Sequence, residues 1–208
     1  MTQDGRVVRG DQTRQRILRR AMDIASEEGL EGLSIGRLAT DLGVSKSGLF
    51  AHFGSKEELQ AATVEAARKV FYREVVRQAM QAAPGLARLV SLCETWLDYS
   101  QRRVFPGGCF FYSTAAEFDA RPGRIHDLLA QTRREWLDLY EQTARDAQQL
   151  GELATSADPV QLVFELDALA SAANAAALLF DDASAYDRAR TGMRDRLRAL
   201  ATRPADIP

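Results

Sequence analysis

A chain of 208 residues with 46% apolar and 27% charged positions has ordinary globular composition and room for one large domain or two small ones, which excludes disorder throughout. The formal net charge of −2, from 27 basic and 29 acidic residues, argues against a uniformly basic nucleic-acid coat but leaves room for a local basic patch. No stretch approaches the ~18 consecutive apolar residues of a membrane helix, residues 1–11 lack the apolar core of a signal peptide, and Cys93 and Cys109 form neither a CxxC motif nor a disulfide framework, so a reduced, cytoplasmic protein is expected.

Periodicity predicts helix almost everywhere, and no run alternates apolar and polar residues long enough to predict a sheet. Gln12–Glu28 carries Ile17, Leu18, Ala21, Ile24 and Ala25 on one face, with Asp11 or Thr13 to cap its start and Gly29 to end it. Ser34 suits the N-cap of a short second helix whose stripe is Ile35, Leu38, Ala39 and Leu42; Leu33 and Leu38 form its hydrophobic staple and Gly43 stops it. Ser45 caps a third helix, with Val44 and Leu49 as staple and Leu49, Phe50 and Phe53 apolar, before Gly54 breaks the chain. Ser55-Lys56-Glu57-Glu58 is a capping box for a fourth helix running to about Ala83. Further helices are predicted over Leu86–Arg103, from Cys109 to near Phe118, over Ile125–Leu150, from Pro159 behind a Ser156 or Asp158 cap, and over Tyr186–Leu200. Thr202–Pro208 reads as a frayed tail. The fold class is all-α.

The sequence contains no GxGxxG, GxxxxGK[ST] or GxSxG, and two histidines, His52 and His126, are too few for HExxH and other multi-histidine metal sites. No catalytic residue, metal or cofactor is expected. An alternative reading, a helical enzyme, rests on Asp181-Asp182 with Asp187 and on Glu117 near Asp119, carboxylates that could in principle hold Mg²⁺. At helix ends such residues serve more simply as caps and solvated turns.

Residues 34–53 are more specific. Two short helices joined by Leu42-Gly43-Val44 carry the helix-turn-helix signature, a tight Gly-containing turn between short helices. In that motif the second helix enters the major groove and its first residues meet base edges. Here that helix starts Ser45-Lys46-Ser47-Gly48, short or flexible polar residues that allow close approach.

The stretch from Leu33 to Leu59, with the preceding helix from Arg16 to Gly29, resembles the DNA-binding domain of the tetracycline-repressor (TetR) family of bacterial transcriptional regulators. The resemblance implies an N-terminal DNA-binding domain over residues 1–55 (arm 1–10, motif 34–53) and a regulatory ligand-binding and dimerisation domain over 56–208. It implies DNA contacts by Ser34, Arg37, Ser45, Lys46, Ser47, Gly48, Phe50, His52 and Lys56, with Ser34 on phosphate, Lys46, Ser47 and Gly48 at the groove, and His52 and Lys56 on the backbone. Where the family usually has tyrosine this chain has Phe50, which keeps the packing and apolar contact with a thymine methyl but cannot donate a hydrogen bond to phosphate. Gly107-Gly108-Cys109, followed by a helix with Ala116-Glu117, resembles the regulatory domain of one subgroup.

Charge is unevenly placed. Six arginines against two aspartates give residues 1–20 a balance of +4, suited to phosphates or a minor groove, or else simply a disordered basic tail over residues 1–10. Residues 21–60 set Arg37, Lys46 and Lys56 against seven acids, so DNA binding requires Lys46 and Lys56 forward and Asp23, Glu27, Glu28 and Glu31 turned away. Residues 158–200 include an alanine-dense run, Ala168–Ala177, that is apolar on too many sides for one wet face. Burial within one chain or a homodimer interface would each explain it, and the resemblance favours the homodimer. Trp96, Tyr99, Phe110, Phe111, Tyr112, Trp136, Tyr140 and Asn174 are candidates for a pocket taking a small, partly apolar effector, although aromatic stripes more often build core. Cys93 and Cys109 read as buried packing or as redox sensors. The expected partners are therefore double-stranded operator DNA, a second copy of the chain and a small-molecule effector, with no membrane.

Overall fold

A computed structural model describes the backbone of residues 5–207 and their side chains except at 5–9, 11 and 206. The described residues are helical and hold no strand; one isolated bridge pairs Leu153 with Ala201. In chain order the helices are α1 (Gly5–Glu28), α2 (Ile35–Leu42), α3 (Lys46–Phe53), α4 (Lys56–Phe71), α5 (Leu86–Gln101), α6 (Phe110–Phe118), α7 (Arg124–Gln149), α8 (Pro159–Leu179) and α9 (Ser184–Leu200).

Two boundaries differ from the sequence reading. First, α1 starts at Gly5, so Asp11 and Thr13 lie inside it and not at its start. Gly10 is accommodated within the helix, at a cost of about 1 kcal/mol relative to Ala. Of the expected N-terminal arm, residues 1–4 and the side chains of Arg6 and Arg9 lie outside the described residues. Second, α4 passes into a π-helical turn at Tyr72–Val76 and a last turn at Arg77–Ala79, where one uninterrupted helix was expected. The wider turn lets the neighbours Val75 and Val76 both reach the core.

The chain forms two compact units. The first runs to Lys69 and also takes in Phe105–Ala130; the second comprises Val70–Val104 and Gln131 onward. By contact, residues 56–69 and 105–130 thus group with the N-terminal helices. In the first unit, the α1 stripe Ile17, Leu18, Ala21, Ile24 and Ala25 is buried, together with Leu38 and Ala39 of α2, Leu49 and Phe53 of α3, Leu59 of α4, and Phe110, Phe111 and Phe118 of α6. Burial of each large side chain contributes about 1.5–3 kcal/mol. Leu42 and Val44, expected in this core, flank the turn and are half-buried.

In the second unit, α8 packs most extensively on α9, and both pack on α5. Asp158 caps α8 by accepting from the Val160 and Gln161 amides, with Pro159 at the first position. By length and composition α8 would match a membrane span. However, its Glu165 and Asp167 pair with Arg196 and Arg133, and Leu162, Val163, Leu166, Ala170, Ala173 and Ala177 are buried. Arg190 of α9 joins Glu94 at 3.0 Å and Asp98 at 2.6 Å on α5. The tail is tied down, contrary to expectation. Thr202 donates its amide to the Glu152 carbonyl (2.9 Å) and its hydroxyl to the Gly151 carbonyl (2.7 Å), Arg198 donates to the Ile207 carbonyl, and Ile207 is buried.

Candidate nucleic-acid interface

The helix-turn-helix is built by its caps. The Ser34 hydroxyl accepts from the Arg37 amide at 3.1 Å, and the Ser45 hydroxyl from the Gly48 amide at 3.0 Å, each meeting one of the amides a helix start leaves unpaired. Between them Gly43 takes φ +64°, and the Val44 amide returns to the Ala39 carbonyl at 3.0 Å, the bond that closes a left-handed helix stop. Leu49 and Phe53 fix the inner face of α3 in the core, which leaves Ser45, Lys46, Ser47, Gly48, Phe50 and Ala51 on the exposed side. Phe50 is 53% exposed. Lys46 reaches across Gly36, and among the described residues it has no carboxylate partner. His52 is half-buried, its ring tilted against Phe53 at 6.2 Å.

The remaining basic candidates are engaged. Arg37 forms a two-pronged pair with Glu28, one contact being 2.6 Å, and this hydrogen bond holds the Glu28 carboxyl below its usual range. The Lys56 ammonium donates to the Glu31 carbonyl at 2.9 Å and its carboxylate at 2.8 Å. That hydrogen bond is the main cause lowering the Glu31 carboxyl, helped by Gln60. The expectation that Glu28 and Glu31 turn away from the basic residues is thus corrected: they neutralise two of them. Arg20 similarly meets Asp41 at 2.8 Å, and Arg14 lies 4.9 Å over the Phe53 ring. No local sequence pattern pairs residues 25 apart, so the Lys56–Glu31 contact was not legible in advance. Lys46 is left as an exposed cation at the start of α3 with no carboxylate partner among the described residues.

The effector candidates divide between the units. A void of about 10 Å³ in the second unit is lined by Cys93, Trp96, Trp136, Tyr140, Asp167, Ala170 and Met193. It has room for about one water. Trp96, Trp136 and Tyr140 were expected there; Cys93, Asp167, Ala170 and Met193 were not. Trp136 stands edge-on to Phe71 at 5.2 Å, and its buried indole N–H has no acceptor among the described residues. Tyr99 is buried edge-on to Phe71. Asn174 accepts from the Ser100 hydroxyl at 2.8 Å, which also bonds Tyr186 at 2.9 Å, so Asn174 serves a buried polar network. Phe110, Phe111 and Tyr112 belong to the first unit, where Phe110 and Phe111 pack edge-on at 5.3 Å.

Burial pushes the Cys93 thiol up to about 12, although Tyr140 bonds its sulfur at 2.7 Å, so Cys93 is not set up as a reactive thiolate; Cys109 is also buried. Two carboxylates of the enzyme alternative, Asp182 and Glu117, have structural partners. Asp182 caps Ser184 and pairs with Arg188, while Glu117 binds two backbone amides.

Comparison with known proteins agrees with this geometry. Residues 17–63 match the family model of bacterial regulatory proteins, tetR family, and residues 85–193 match the tetracyclin repressor-like C-terminal domain. The nucleoid occlusion factor SlmA of Haemophilus influenzae is 26% identical over 109 residues, and the chain spans about half the length of the curated relatives it matches. A TetR transcriptional regulator from Chloroflexus aurantiacus superposes with a TM-score of 0.86 at 21% identity, covering 93% of this chain and 98% of that one. AibR, solved with isovaleryl coenzyme A and operator DNA, superposes with a TM-score of 0.69 at 20% identity, covering 89% and 96%. An exposed Lys46-Ser47-Gly48 edge on a capped helix-turn-helix, with matches across both parts of the chain, makes this protein a member of the TetR family of DNA-binding transcriptional regulators.

Proposed function

We propose that the chain is a homodimeric repressor that holds a palindromic operator and releases it when a small, partly apolar effector binds. The observation that carries this reading is the exposed polar edge of α3. Inserted in the major groove, Lys46 donates to guanine acceptors or phosphate, Ser47 bonds a base or phosphate, and Gly48 lets the helix backbone come close. Phe50 packs on a thymine methyl. The Ser34 hydroxyl, its oxygen already a cap acceptor, still has a proton to donate to phosphate, and His52 flanks the same backbone. Lys56 and Arg37 contact phosphate by sharing or leaving Glu31 and Glu28.

One α3 reads only a few base pairs, so a two-fold dimer adds a second half-site about 34 Å away. The outer face of α8 supports that dimer. Val160, Phe164, Ala168, Ala172, Ala175 and Leu179 recur at intervals of three or four residues and are exposed, with Phe164 at 68% and Leu179 at 76%. With α9 it gives residues 158–200 a self-complementary face. The void beside Trp96, Trp136 and Tyr140 is the seed of the effector pocket, which a ligand must enlarge. Release follows if the ligand binds the enlarged state better than the closed one. The protein acts in the cytoplasm, with its DNA, and residues 56–208 serve regulation rather than catalysis.

The test is selection from a random duplex library followed by affinity measurement. The wild-type chain should enrich a palindrome, and Lys46→Ala together with Ser47→Ala should weaken binding to it at least tenfold. No enrichment, or unchanged affinity in the double variant, would refute the reading.

A further inference from the structure

We propose that Glu117 is the positioning residue that locks α6 to the turn entering the reading helices, so that operator selectivity depends on a carboxylate outside the DNA-facing edge. The proposal rests on the operator-binding reading above. Glu117 Oε2 accepts the Leu30 amide at 2.7 Å and Oε1 the Glu31 amide at 2.9 Å, which spends both oxygens of one carboxylate on the turn between α1 and α2. Bonds to an ionised acceptor are the stronger kind, and loss of the acceptor leaves two amides unmet.

Glycine is required at two places, at Gly29 by its positive φ beside the carboxylate and at Gly107 by a close backbone. A Cβ on Gly29, which has φ +79°, would stand 2.5 Å from Glu117 Oε2. A Cβ on Gly107 would stand 1.9 Å from the Ser26 carbonyl oxygen, and the Gly107 amide donates to the Ser26 hydroxyl at 3.0 Å. The segment that carries α6 therefore meets the end of α1 backbone to backbone, and Glu117 fastens the far end of the same contact. This gives a physical role to the Gly107-Gly108-Cys109 and Ala116-Glu117 pattern.

The turn is also where other ties converge. Gln60 of α4 donates to the Leu30 carbonyl at 2.9 Å, Lys56 holds Glu31, and Leu30 and Leu33 are fully buried. It leads directly to Ser34, the cap of α2. On the other side, α7 starts after a five-residue link from α6 and continues into the second unit. A general packing role would make Glu117 matter for stability alone; the positioning role makes it matter for selectivity in the folded protein.

The test compares Glu117→Gln and Glu117→Ala with the wild type, using the full chain well below its melting temperature. Affinity is measured for a duplex selected by the wild type and for a scrambled duplex, and hydrogen exchange is followed on each protein. The expected result is a fall in selected-over-scrambled preference of about tenfold for Gln and more for Ala, with scrambled-duplex affinity and its salt dependence unchanged. Amides of Leu30, Glu31, α2 and α3 should exchange faster, and those of α8 and α9 should not. Should the Ala variant fail to fold, the near-isosteric Gln variant carries the comparison. Wild-type preference in the variant, or equal loss on both duplexes with faster exchange throughout, would overturn the proposal. A wild-type chain that selects no duplex would refute operator reading itself; exchange in α2 and α3 of Glu117→Gln would then decide the lock, faster supporting it and unchanged overturning it.

Discussion

The outer faces of α3 and α8 are exposed for opposite chemical reasons. On α3 the exposed side is short and polar, Ser45-Lys46-Ser47-Gly48, with Phe50 as its single large apolar group. On α8 it is a continuous apolar stripe from Val160 and Phe164 to Leu179, beside Phe180. A polar edge can remain in water until a ligand with its own hydrogen-bonding pattern arrives, whereas a stripe of that length loses free energy at every apolar carbon left wet. The contrast teaches that exposure alone says little about the partner. The chemistry of the exposed atoms separates a face that water satisfies from one that it does not.

The contrast can be tested by spoiling each face in turn. Charge on the apolar stripe should act most strongly. If the stripe is the dimer interface proposed above, Phe164→Asp with Leu179→Asp should turn a dimer into a monomer in light scattering and cut operator affinity at least a hundredfold, and an unchanged oligomeric state would refute that interface. Next comes a change at neither face: Gly107→Ala forces a Cβ onto the Ser26 carbonyl and should cost about 2 kcal/mol, a fall in melting temperature of several degrees, through overpacking. On the polar edge, Lys46→Ala should leave stability within about 0.5 kcal/mol, weaken operator binding by about 1 kcal/mol and lower the salt slope by about one. If affinity falls without a change in slope, Lys46 reads a base and touches no phosphate. A smaller and opposite effect is expected from Glu31→Gln, which releases Lys56 and should raise operator affinity a few-fold.

The same pairs set an acid response. The Glu28, Glu31 and Glu58 carboxyls are held below their ordinary 4.5 mainly by hydrogen bonds from Arg37, Lys56 and Arg124. Because the folded values are depressed, their stabilisation is present above that value and is lost as pH falls through the lower folded values. Thermal unfolding followed from pH 7 to 3 should therefore show wild type converging on Glu31→Gln below about pH 4.5. Parallel curves would mean that the Glu31 pair contributes nothing.

Legibility in the sequence followed the range of the forces involved. Ser34, Gly43, Ser45 and Asp158 act on amides and dihedrals within four residues, so their roles were readable from spacing alone. The interior of α3 followed from Leu49 and Phe53. What was not readable came from contacts made only once the chain has folded. Examples are Lys56 meeting Glu31, Arg37 turning to Glu28, Asn174 joining Ser100 and Tyr186, and Ile207 anchoring a tail that reads as frayed because its sequence is short and polar. Effector candidates chosen for aromaticity separated into two units for the same reason: periodicity marks a residue as inward-facing without saying which interior it faces. Glu117 illustrates the limit, since its motif was visible and its two backbone partners, almost ninety residues away, were not.

The pinning of residues 201–207 also has a mechanical meaning. Thr202 is bonded to Gly151 and Glu152, and the Leu153–Ala201 bridge lies beside it, so the stretch between them, containing all of α8 and α9, forms a loop closed at its base. Because the bridge is antiparallel and both ends of the chain leave it on the same side, a pulling force applied at residue 207 opens that short clasp one bond at a time before it can peel α9 away.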